Sequence, residues 1–206
     1  MTRLLSEADK ATVSEAIKQA EQRTTGELIT VIAPASDDYW FIPSLWASLI
    51  ALMVPVIILL VGTWWDATML FSIQISVFLV LVTVFRIPLL KYALVPKSIK
   101  RLRASRVARE QFFLQGLQNT EGRTGILLFV SVAEHYVEVI ADKGINDKVP
   151  EGTWDNVVSD FVVKVKQKQH TQGFVAAIED CGNILAEHFP AQAGNKNELP
   201  NHLIEL

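Results

Sequence analysis

The chain has 206 residues, half of them hydrophobic, and 19 Lys and Arg against 22 Asp and Glu leave a formal charge of -3. So even a balance gives no whole-protein field for nucleic acid or for anionic surfaces in general. The single cysteine, Cys181, excludes an internal disulfide and any site built from several cysteines, and agrees with a reducing compartment.

The opening stretch MTRLLSEADKATVSEAIKQAEQRTTGE mixes acids and bases and has no apolar run before a small-residue cleavage site, so no secretory signal is expected there. Ser6-Glu7-Ala8-Asp9 has the form of a helix start, and Val13, Ala16, Ile17 and Ala20 then recur at helical spacing until Thr24-Thr25-Gly26. GELITVIAP follows, β-branched and apolar and ended by Pro34, which predicts a strand buried on both faces.

From Ser44 to Phe85 nearly every position is apolar, apart from an interruption in VGTWWDATML, Val61 to Leu70. A bilayer core of about 30 Å takes roughly 20 helical residues to cross, so the block predicts two crossings, 44–62 and 68–85. Gly62, Trp64, Trp65 and Asp66 form the turn, with the indoles suited to the interface. Pro55 is a tolerated kink in the first span. Gln74 in the second is read as a hydrogen-bonding contact between helices or protomers. A transport path is not expected, because no intramembrane acid, base or histidine accompanies it.

After the second span come Arg86, Lys91, Lys97, Lys100, Arg101, Arg103, Arg106 and Arg109 without one acid, whereas the tip holds only Asp66. The basic flank is therefore expected on the cytoplasmic side, and a pair of crossings brings both termini to that side. SIKRLRASRVAREQFFLQGLQ predicts a long helix with Ile99, Leu102, Phe113 and Leu117 near one face. Its bases Lys97, Lys100, Arg101, Arg103, Arg106 and Arg109 are expected to touch the headgroup layer, each contributing about 1 kcal/mol near an anionic surface. No aromatic side chains interleave them to stack on nucleotides, so nucleic acid is not an expected partner.

GRTGILLFVSVAEHYVEVIADKG predicts a hairpin, strands Ile126 to Val132 and Tyr136 to Ala141 around a turn at Ala133-Glu134-His135. A helix from Thr153 carries Val157, Val158, Phe161, Val162 and Val165. A last one from about Thr171 carries Phe174, Ala177, Ile178, Cys181, Ile184, Leu185 and His188 up to Pro190, before a flexible tail at 191–206. Residues 1–40 and 91–190 are thus expected to form one α/β domain interrupted by a membrane hairpin at 41–90.

No phosphate-binding glycine loop, nucleophile elbow or paired-cysteine site occurs. The best acidic constellation is Glu138 and Asp142, which share a strand face, with Asp147 in the loop beyond. Three oxygen donors there would suit a hard cation such as Ca²⁺; the bland alternative is a solvated strand face and a polar loop. His135 reads as a turn residue, His188 as a boundary histidine, Trp154 as an anchor between helix and sheet, and Glu110 and Glu121 as surface charges.

The helix leading into TTGELITVIAP, the pair GRTGILLFVSVAEHYVEVIADKGI, and GFVAAIEDCGNILAEHFP together resemble the TPM domain family. The segment AREQFFLQGL after the apolar block resembles its bacterial integral-membrane branch. The resemblance implies an αβα sandwich around a small central mixed sheet, with the transmembrane hairpin inserted after the first strand. Some relatives are assigned acid phosphatase activity and bound calcium, while others act in repair or assembly of membrane complexes or modulate receptors. The leading expectation is a membrane-tethered binding or assembly module for another membrane protein. The alternative is a divalent-cation-dependent acid phosphatase with Glu138, Asp142 and Asp147 as ligands.

Overall fold

A computed structural model describes residues 4–62, 65–192, 198–200 and 202–206; Trp64, expected at the membrane turn, lies outside the described residues. The elements run α1 (Glu7–Glu21), β1 (Glu27–Ala33), α2 (Phe41–Leu60), α3 (Ala67–Val84), α4 (Pro88–Leu94), α5 (Lys97–Leu114), β2 (Gly125–Ser131), β3 (Tyr136–Ala141), α6 (Lys143–Asn146), α7 (Thr153–Lys166), α8 (His170–His188) and β4 (Ile204–Glu205). The chain divides into two compact units, one of residues 1–36 with 102–206 and the other of residues 37–101.

The first unit is built on a mixed sheet in the order β3-β2-β1-β4. β1 and β2 run parallel from Glu27 opposite Gly125 to Ala33 opposite Ser131, and β3 returns antiparallel to β2. Both central strands are buried at every position, which is why they read as continuous apolar runs. Alternation sends Leu28, Ile32, Ile126, Leu128 and Val130 into the core with α1, α7 and α8. It sends Ile29, Val31, Ala33, Leu127 and Phe129 into a second core against Ala104, Ala108 and Phe112 of α5. The result is the αβα layering expected. The start of α1 is fixed by a capping box: the Ser6 hydroxyl accepts from the Asp9 N–H, and the Asp9 carboxylate accepts from the Ser6 N–H. α1 and α8 approach so closely that a Cβ on Gly182 would lie 2.7 Å from that of Ala20.

Two expectations differ from the structure. Of Ile99, Leu102, Phe113 and Leu117, expected near one face of α5, Leu102 and Phe113 are 70% and 62% exposed, while Leu117 is buried beyond the end of the helix. The inner face is instead Ala104, Ala108 and Phe112, because small side chains let the helix backbone come close to the sheet. The second concerns the segment after Pro190. Its described part lays β4 alongside β1, pairing Val31 with Ile204 and Ile32 with Glu205, and buries Leu203. Without it β1, apolar on both faces, would be an edge strand with unpaired backbone groups. Glu27 accepts from the N–H groups of Glu198 and Leu199, and Lys10 pairs with Glu205 at 2.7 Å, so polar contacts also hold the segment.

In the second unit α2 and α3 pack on each other, and Asp66 caps α3 by accepting from the Thr68 N–H. Ser44, Ser48, Ser72, Ser76 and Thr83 each donate a hydroxyl to the carbonyl four residues earlier, satisfying these groups without water. Gln74 lines an open groove of about 370 Å³ with Ser48, Ala51 and neighbouring apolar side chains. Tyr39, Ile42 and Val95 form a small core with Tyr92 and Ile99.

Candidate functional site

The three acids chosen from sequence do not converge. Glu138 lies on the α5 side of β3, where it accepts from the Tyr136 phenol at 2.9 Å and the Ser105 hydroxyl at 3.3 Å. Burial pushes the Tyr136 phenol above its ordinary value, so it remains a donor. Asp142, only 6% exposed, begins α6 and is fully engaged: Oδ1 accepts from the Lys143 N–H and from Arg123 Nη2, and Oδ2 accepts from Arg123 Nε. These two hydrogen bonds and the opposite charge hold the Arg123 guanidinium above its usual value. Asp147 ends α6. Asp142 lies one residue past the end of β3, and the four extended residues from Glu138 to it span about 13 Å, too far for one ion. Among the described residues no group of three or more His, Cys, Asp or Glu side chains is placed to hold a metal.

A polar cluster that sequence reasoning missed sits at the carboxyl ends of β1 and β2. The buried Glu134 carboxylate accepts from the Ser131 hydroxyl and from the Ser36 N–H, and the Ser36 and Ser131 hydroxyls are 2.7 Å apart. In open α/β sheets ligands gather outside strand carboxyl ends. Here the three residues satisfy one another and tie the β2–β3 turn to the chain leaving β1. No sequence signal marks the cluster, because Ser36 and Ser131 are 95 positions apart.

His135 is exposed in that turn at φ 50°, and His188 is the last, half-buried residue of α8. Trp154 donates its indole N–H to Asn146 Oδ1 at 3.2 Å, bridging the start of α7 to α6. Cys181 is fully buried and its thiol is pushed up to about 12 by burial, which makes it a packing residue without nucleophilic character. Glu27, in contrast, is a buried carboxylate whose value burial raises even though two backbone N–H groups point at it.

The remaining features concern a surface. Of the basic residues on α5, Lys97, Arg101, Arg106 and Arg109 are exposed, and Lys100 and Arg103 are half-buried. Arg106 pairs with Glu110 at 2.9 Å in a solvated i,i+4 contact of small energetic weight. α2 and α3 are long and apolar enough to cross a membrane.

Residues 92–184 match the TPM domain family. The NMR structure of the BA42 protein from the psychrophilic bacterium Bizionia argentinensis resembles this chain with a TM-score of 0.62 at 20% identity, over 100% of this chain and 98% of its own. At that identity the likeness concerns the fold, which is TPM-like. No curated protein matches the chain.

Proposed function

We propose that the chain is a TPM-like domain tethered to a bacterial inner membrane by the α2–α3 hairpin, where it serves as a binding or assembly module for another membrane protein. The observation that carries the tether is α3, in which none of 18 consecutive residues is buried. An apolar core helix would be covered by protein, and a leader would stand at the start of the chain. α3 does neither, and hydrocarbon is the solvent that favours such a surface. The basic residues from Arg86 to Arg109, set against Asp66 at the tip, favour both termini in the cytoplasm.

The module reading is favoured over a cation-dependent phosphatase by the site geometry, since Glu138 and Asp142 are engaged by separate partners. The testing experiment is hydrolysis of a generic phosphate monoester by the full chain in vesicles, with Ca²⁺ or Mg²⁺. No turnover and no metal-induced rise in Tm are expected. Metal-dependent turnover that disappears in a folded Asp142→Asn variant would replace the module with an enzyme.

A further inference from the structure

α5 is inverted relative to an ordinary surface helix. The face it presents to the sheet holds two alanines and Phe112, while large apolar side chains point away from the protein. Leu102, Arg106, Arg109 and Phe113 follow one another at helical spacing on a single outward stripe about 16 Å long. Leu114 flanks it, 74% exposed. A surface facing only water gains nothing from Leu and Phe on either side of two arginines. That pattern suits a helix lying in the plane of a membrane interface, where apolar side chains enter the acyl boundary and arginine stems extend back to phosphate.

We propose that this outer face of α5 rests in an anionic lipid surface, with Leu102 and Phe113 as the inserted anchors and Arg106 and Arg109 as the phosphate contacts. Charge selects lipid as the occupant: α5 carries Lys97, Lys100, Arg101, Arg103, Arg106 and Arg109 against the single acid Glu110. Only residues 85–96 separate α3 from α5, so a membrane holding α3 keeps the start of α5 within a short chain's reach. The inference rests on the tether proposed above and adds which side chains meet the lipid and of what charge.

The test uses the full chain in phosphatidylcholine vesicles with and without phosphatidylglycerol. A single environment-sensitive fluorophore is placed through Phe113→Cys or Leu102→Cys, with Cys181 too buried to label. Quenchers are carried by the lipids near the headgroups. Blue-shifted, quenched emission is expected at both positions but not at Asp155→Cys on α7. The quenching should weaken without phosphatidylglycerol or in R106E/R109E. A Leu79→Cys probe on α3, read with deep quenchers, separates the failures. If Leu79 is quenched and positions 102 and 113 are not, the inference falls while the tether stands. If Leu79 is not quenched, both fall.

Discussion

Ile75→Arg distinguishes a membrane helix from a solvated one, because the two environments give opposite results. Ile75 is at the middle of α3, which at 1.5 Å per residue is about 27 Å long, and its side chain is 48% exposed. The eleven Leu, Ile, Phe and Val of α3 favour insertion by roughly 3–7 kcal/mol in total, at about 0.3–0.6 each. Exchanging one of them at the centre for arginine costs about 3–4 kcal/mol, half or more of that sum. The insertion equilibrium then shifts by roughly two to three orders of magnitude. In water the same exchange at a half-exposed site would fall within about 0.5 kcal/mol of neutral. The assay is the fraction of full-length protein that resists alkaline carbonate extraction from membranes. The wild type is expected to resist and Ile75→Arg to be partly released. A wild type that is released, or a variant retained in full, would refute the reasoning.

Gly144→Ala is expected to lower stability by about 1–3 kcal/mol, because its Cβ would collide with the backbone carbonyls of Gly122 and Arg123, which cannot swing aside. Thermal unfolding in detergent checks it, and an unchanged Tm would count against the packing described for α6. Glu27 predicts a pH dependence. Its carboxyl is raised above 4.5 in the fold, so as pH rises past that value the unfolded chain ionises first and stability falls until Glu27 itself ionises. In Glu27→Gln this downward slope should become shallower, whatever the variant's absolute stability, with the half-buried Asp180 carboxyl, also raised, left to contribute the rest. Chemical denaturation across the acid range measures both.

The strands β1 to β3 and the helices flanking them were readable because their apolar spacing is strong: Val13, Ala16, Ile17 and Ala20 are all buried in α1, as their helical repeat predicts. α5 misled because Ala104 and Ala108 carry little hydrophobic weight, while Leu102 and Phe113, which carry more, face outward. β4 was illegible because its two residues follow Pro200 in a polar stretch, and what orders them is the open edge of β1, which lies far away in sequence. For the site, strand parity grouped Glu138 with Asp142, but Asp142 lies past the end of β3, at the start of α6. Parity carried no information on their separation or on Arg123, which occupies Asp142. Glu27 and Glu134 were missed for a similar reason, since each is defined by partners distant in sequence or brought close only by a turn.

The central claim, a hairpin anchoring a cytoplasmic domain, is tested most directly by cysteine accessibility in intact bacterial cells. Asp66→Cys at the tip, Thr12→Cys on α1 and Glu151→Cys before α7 would each be probed with a membrane-impermeant thiol reagent. All three positions are exposed, and Cys181 is buried and silent. Labelling is expected at position 66 from outside, with positions 12 and 151 labelled only after the membrane is opened. Labelling of positions 12 and 151 in intact cells with position 66 protected, or recovery of all three variants in the soluble fraction, would contradict the claim.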